Sequence, residues 1–179
     1  MMKIISGFLA LSLLLLLTSV VTNAEQTINR NIINKWPDSR YVANNDGTVT
    51  ETETGLMWQQ CSLGQTWTST NGRVSCEGDA IEYTWGSALT LAARSNDSGY
   101  SDWRLPNVKE LTYLVAKDRY APAINLNIFP DTPPEPYWSS TPYLSYPDSS
   151  WMVDFDYGGD RIRIRDNRYL VRLVRDTSP

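Results

Sequence analysis

No histidine occurs anywhere in the 179 residues. That absence removes histidine-based triads and imidazole proton shuttles together with the commonest metal ligand. Cysteine is almost missing as well: Cys61 and Cys76 are the only two. Two thiols without histidine are too few ligands for a structural zinc site. Beyond the first 24 residues there is no apolar run of membrane-spanning length, no internal repeat and no low-complexity tract. The formal net charge is −4, so neither nucleic acid nor an anionic membrane is expected as a global partner. A local basic patch stays open. What is left is a chain without an obvious catalytic device or resident cofactor.

The first 24 residues do carry a signal. Lys3 precedes an apolar stretch from Ile4 to Val21 built on a leucine run, and Thr22-Asn23-Ala24 follows it at once. That order predicts a secretory signal peptide over residues 1–24 and an exported protein, secreted or periplasmic. The rival reading is an uncleaved anchor, but Ser6, Gly7 and Ser12 break the apolar core, and no cysteine stands at the cleavage point for lipid attachment. In an exported chain, an even pair such as Cys61 and Cys76 predicts a disulfide, here enclosing a turn-rich loop of Gly, Ser, Thr and Gln. A bridge over such a loop stabilises by ~3 kcal/mol in the chain-entropy view. A redox pair is the functional rival.

Residues 25–40 are polar and Asn-rich and read as a linker or N-terminal arm; residues 41–176 then form one domain. Asn44-Asn45-Asp46-Gly47 between Tyr41-Val42-Ala43 and Thr48-Val49-Thr50 is a hairpin signal. Leu56 to Gln59 is a further strand. Trp85, Ala88, Leu89 and Ala92 fall on one face of a helix that stops at Asn96-Asp97-Ser98-Gly99. Pro106 and Asn107 stop one segment and cap a second helix; Glu110 sits three residues past the cap, and Leu111, Leu114 and Val115 supply the apolar side. Residues 121–147 read as loop, extended only over Tyr137 to Ser140. Trp151, Val153 and Phe155 then alternate with Met152, Asp154 and Asp156, predicting a strand with one apolar face. Gly158-Gly159 turns it into Arg161 to Arg165, Asp166-Asn167 turns again, and Tyr169 to Val174 returns. Early strands, two short helices and a C-terminal antiparallel meander make an α+β domain.

Four segments also carry a resemblance: Thr54-Gly55-Leu56-Met57-Trp58-Gln59, the run Gly99-Tyr100-Ser101-Asp102-Trp103-Arg104-Leu105-Pro106-Asn107, Tyr137-Trp138-Ser139-Ser140-Thr141, and Tyr169-Leu170-Val171-Arg172-Leu173-Val174-Arg175. In this order they resemble the Lcl C-terminal domain family, exported bacterial domains named after the end of a collagen-like adhesin. The resemblance implies a C-type-lectin-like fold, a non-catalytic binding role toward glycosaminoglycan-like surfaces, and a homo-oligomer like the namesake trimer. Arg104-Leu105-Pro106-Asn107 with Glu110 is similar to a motif of formylglycine-generating enzymes, which share that fold. Those enzymes depend on cysteines late in the chain, and none follows Cys76 here.

Candidate site residues fall into two groups. Tyr143 and Tyr146, among the serines and prolines of residues 133–150, resemble paratope composition, in which aromatics give contact area at low entropic cost. Arg161, Arg163 and Arg165 alternate with Ile162 and Ile164, which predicts three guanidiniums on one strand face about 6.5 Å apart, with the isoleucines inward. Such a row suits sulfate or carboxylate groups on a polysaccharide; a solvated edge is the plainer reading. Asp154 with Asp156, or Glu51 with Glu53, would be the carboxylate pair of a hydrolase. Asp97, Asp102 or Glu135 would serve a calcium site, although no loop signature matches. Trp58, Trp85, Trp103 and Trp138 are expected in the core, and Arg104, Arg172 and Arg175 are expected to fix loops. The function expected is an exported, non-catalytic binding module for carbohydrate or a cell-surface partner. The alternatives are an envelope assembly subunit and a carboxylate-dependent hydrolase.

Overall fold

The computed structural model describes residues 25–177; the leader expected over residues 1–24 lies outside them. The chain runs β1 (Thr27–Ile28), β2 (Tyr41–Ala43), β3 (Thr48–Glu51), β4 (Leu56–Gln59), β5 (Thr66–Thr70), β6 (Arg73–Glu77), α1 (Trp85–Ala92), α2 (Val108–Tyr113), β7 (Arg119–Tyr120), β8 (Pro136–Pro142), β9 (Ser149–Asp154), β10 (Gly159–Ile164) and β11 (Val174–Asp176). Among the described residues the strands pair antiparallel into a β11-β4-β3-β2 sheet, a β10-β9-β8 sheet and two ribbons, β5-β6 and β1-β7. The architecture is α+β, with antiparallel sheets and few helices.

Local chemistry accounts for these elements. The β2-β3 turn places Asn45 and Gly47 in the left-handed region (φ 63° and 91°), where Asn and Gly are tolerated. The Asp46 carboxylate closes that turn by accepting from both the amide and the hydroxyl of Thr48. Thr84 caps α1 through its side chain. At α2 the Asn107 side chain accepts from the Lys109 and Glu110 amides, while Glu110 accepts from the Asn107 amide at 2.7 Å. This reciprocal cap satisfies helix-end donors that would otherwise be orphaned.

The core lies on both sides of a shared layer. Leu56 and Trp58 of β4, Tyr137 of β8 and Val153 of β9 enter one apolar cluster, which α2 supplies with Leu111. Their neighbours Met57, Trp138 and Met152 enter a second, built on Ala88 and Ala92 of α1 with Trp103 and Leu105. Period-two alternation therefore distributes side chains between two cores, and β9 does not have the single apolar face expected: Met152 is as buried as Val153.

Two further expectations change. The meander is β8-β9-β10, and the Tyr169–Val174 return does not extend it. Leu170, Val171, Arg172, Leu173 and Val174 are all buried as the segment crosses between the sheets, bridging to Tyr83 and Tyr137 before β11 joins β4. The stretch between the cysteines is a hairpin and not a loop: β5 and β6 meet at Asn71-Gly72, both with positive φ, the geometry favoured by two-residue hairpin turns. Cys61 and Cys76 are disulfide-bonded and tie this hairpin to the end of β4. Residues 26–40 are docked: the Gln26 amide donates to the Pro122 and Ile124 carbonyls, the Trp36 indole to Tyr113, and β1 pairs with β7. No helix among the described residues is long and apolar enough to cross a membrane.

Candidate functional site

The β8–β9 connection is a tight turn held by main-chain bonds from Tyr143 to Ser149, from Tyr146 to Tyr143 and from Ser149 to Tyr146, donor first. It presents three aromatic rings together. Tyr143 and Tyr146 stack with centroids 5.7 Å apart, and Tyr143 meets Trp151 of β9 edge to face at 5.7 Å. Tyr146 is 65% exposed and Leu144, at the tip, 90%. Trp151 pairs in register with Ile162 of β10, so these two side chains share a sheet face with Ile164. The result is an open aromatic and aliphatic surface at one end of the three-stranded sheet.

The arginines lie on the other face of the same sheet. Arg161 pairs with Met152 and Arg163 with Ser150, opposite in parity to Trp151. Arg161 is exposed, and Arg163 is half-buried with its guanidinium donating to the Ile162 carbonyl at 2.9 Å. Arg165 leaves the row: its guanidinium stands 4.0 Å from the centroid of the Trp85 ring, and its Nε donates to the Ser150 hydroxyl. Ile164 is 57% exposed, not inward, because β10 is the edge strand and the first core, which holds Val153 on that face of β9, does not include β10. A row of three equivalent free guanidiniums does not form; Arg165 instead anchors α1 to the sheet. The tyrosine and arginine groups are therefore two surfaces and not one.

The remaining candidates separate by environment. Glu51 is fully buried at the end of β3. Burial pushes its carboxyl up, but the Thr54 hydroxyl, the Glu53 and Thr54 amides and the Arg40 guanidinium together hold it below the usual carboxylate range. Glu53 is exposed, and the Arg40 guanidinium lies 3.3 Å from Glu51 and 3.8 Å from Glu53. Burial, and then the charges of Glu82, Asp154 and Asp156, push the Glu135 carboxyl up. Asp102 pairs with Arg175 at 2.6 Å, whereas Asp97 accepts from the Gln59 amide at 2.6 Å. Asp97 and Asp102 thus have separate partners, and among the described residues no group of three or more Asp, Glu, Cys or His is arranged around a common metal position. Arg104 grips Glu110 with two bonds of 2.8 and 2.9 Å and also reaches Asp176, joining α2 to β11. Trp58, Trp103 and Trp138 are buried as expected, while Trp85 is only half-buried.

One feature was missed by reading the chain. A cleft of about 460 Å³ opens between the Asp46-Gly47 turn, the start of β5 and the Asp97-Ser98 turn. Its walls come from segments far apart in sequence. The available signals were Trp67, a half-exposed indole on a short hairpin, and Gln59, a polar residue ending an otherwise apolar strand.

Compared with known proteins, the chain matches the model of the Lcl C-terminal domain over residues 47–175. No curated protein matches it. The matched span begins at the β2-β3 turn and ends within β11, enclosing the second core, the disulfide and the tyrosine and arginine surfaces, while Tyr41 of the first core and Asp46 of the cleft precede it.

Proposed function

The chain belongs to the Lcl C-terminal domain family, and from that premise we propose that it is an exported, non-catalytic binding module of C-type-lectin-like fold that recognises carbohydrate or a cell-surface partner. The observation that carries the reading is the Tyr143–Tyr146–Trp151 cluster. Its rings are already stacked on one another, so binding costs little further side-chain ordering. Flat aromatic faces with phenolic hydroxyls suit a sugar ring, which offers an apolar C–H face and hydroxyls at its rim. Arg161 and Arg163, on the opposite face, form a separate and weaker polyanion contact. Its strength falls with salt because these side chains are near solvent and the protein carries net negative charge.

A second reading, an assembly subunit that forms homo-oligomers, is favoured by the exposed apolar residues of the arm. Ile28, Ile32 and Ile33 of the arm and Tyr120 of β7 are exposed and lie outside both cores, and exposed apolar side chains are available for contact with another copy.

The test is a glycan array read with the wild-type protein and two variants. At least one glycan bound by the wild type should weaken tenfold or more in Tyr143→Ala/Tyr146→Ala. Retention on heparin should instead fall in Arg161→Ser/Arg163→Ser. If every bound glycan survives loss of both tyrosines, the aromatic surface is not the site. If the array is silent and the protein is a stable oligomer, the assembly reading replaces it.

A further inference from the structure

We propose that the cleft between the Asp46-Gly47 turn and the Asp97-Ser98 turn is a second binding site, for a neutral, hydroxyl-rich ligand such as one or two hexose units. It shares no residue with the Tyr143–Tyr146–Trp151 surface, and it stands or falls independently of that reading.

The cleft has a flat wall, a set of free acceptors and no cation. Trp67 forms the wall. Its indole nitrogen is used in a bond to the Gln60 side chain at 3.0 Å, which fixes the ring plane and leaves its apolar surface to the cleft. Gly47 lies directly against the ring: a Cβ there would come within 3.2 Å of Cγ of Trp67. The missing side chain therefore lets the turn back onto the indole. Asp46 and Asp97 also line the cleft, and neither belongs to an ion pair among the described residues. Each is held by one oxygen. Oδ1 of Asp46 accepts from the Thr48 amide and hydroxyl, and Oδ2 of Asp97 accepts from Gln59 Nε2 and Ser95 Oγ. Oδ1 of Asp97 has no partner among these bonds, and Oδ2 of Asp46 has only a 3.5 Å contact from the Tyr100 hydroxyl. Each residue thus keeps one carboxylate oxygen without a close partner at the rim of an open cleft.

That donor–acceptor balance selects the ligand. An anionic group would meet two carboxylates with no Lys or Arg lining the cleft, so sulfated or uronic sugars are repelled. A purely apolar ligand would strip water from the carboxylates without replacing their hydrogen bonds. Vicinal hydroxyls donate to both carboxylates while the C–H face of the ring lies on the indole. The volume is within the range of small-ligand sites. The rim is also fixed: the Ser98 hydroxyl donates to the Asp46 carbonyl at 2.6 Å and links the two turns, so the cleft exists before any ligand arrives.

The experiment titrates the purified protein with neutral tetramers of glucose, mannose, galactose and N-acetylglucosamine, with a chondroitin sulfate tetrasaccharide and with spermine, by calorimetry. At least one neutral tetramer should bind and the sulfated one should not. Affinity should drop at least tenfold in Trp67→Ala and in the near-isosteric Asp97→Asn. The proposal is overturned if no neutral tetramer binds, if binding survives both cleft substitutions, or if spermine alone is bound. Asp97→Asn keeps the test open should Trp67→Ala fold poorly.

Discussion

Replacing Arg172 by alanine should destabilise the protein by ~4 kcal/mol or more, the largest loss expected from any single polar side chain in the molecule. Arg172 is 0% exposed, and among the described residues no carboxylate pairs with it. Its guanidinium instead donates to the main-chain carbonyls of Gln59 and Gln60 and to the hydroxyls of Thr132 and Ser62. It sits 4.8 Å from the ring centroid of Phe129. Burial pulls its pKa down, and Tyr137 opposes that pull. Exchanging a whole buried ion pair for apolar residues can be neutral, because both charges leave together. Here the partners include backbone carbonyls that no substitution removes. Truncation leaves them without donors in the core and opens a cavity as well. Arg172→Met, which refills the volume, should recover only part of the loss. Urea unfolding of both variants measures this, and an alanine variant within about 1 kcal/mol of wild type would refute the assignment.

The second large effect is expected at the turn before α2. Trp103 is 2% exposed, meets Tyr100 edge to face with centroids 6.1 Å apart, and donates its indole N–H to the Asp97 carbonyl at 3.0 Å. Trp103→Ala should cost roughly 3–5 kcal/mol. Its neighbour should matter less. The Arg104 side chain is about a third exposed and its partner Asp176 more so, so solvent weakens the attraction, and Arg104→Ala should cost on the order of 1 kcal/mol. Thermal unfolding of the pair checks the ranking. A Trp103→Ala protein with an unchanged melting temperature would sink it. Because Trp103 also holds the Asp97 turn, its loss should loosen the cleft, whereas Arg104→Ala should leave it intact.

How far the sequence could be read depended on how local each cause was. The Asp46-Gly47 turn and the Asn107–Glu110 box are set by neighbours within a few residues, and each stands where its residues implied. Asn71-Gly72 is the same kind of turn signal, but the polar, turn-rich composition between the two cysteines masks the strands on either side of it. Tyr169 to Val174 was misassigned for a different reason. Every residue of Leu170–Val174 is buried, because alternate side chains meet two separate cores, and a period-two pattern cannot reveal a second partner layer. The parity of Arg161, Arg163 and Arg165 was legible. That Trp85 of α1 would claim Arg165 was not, since it depends on how α1 packs against the sheet. The cleft was the least accessible, as Gln59 and Asp97 meet across 38 residues.

The central claim is that the Tyr143–Tyr146–Trp151 surface takes a glycan, and the seven tryptophans provide the direct measurement. Indole N–H resonances of the ¹⁵N-labelled protein, assigned by Trp→Phe substitution, should be followed while an array-positive glycan is added. The account predicts that the Trp151 signal moves in a saturable way while those of buried Trp58 and Trp138 stay in place. If every array-positive glycan binds without moving Trp151, whether it shifts Trp67 alone or no indole at all, the claim is contradicted.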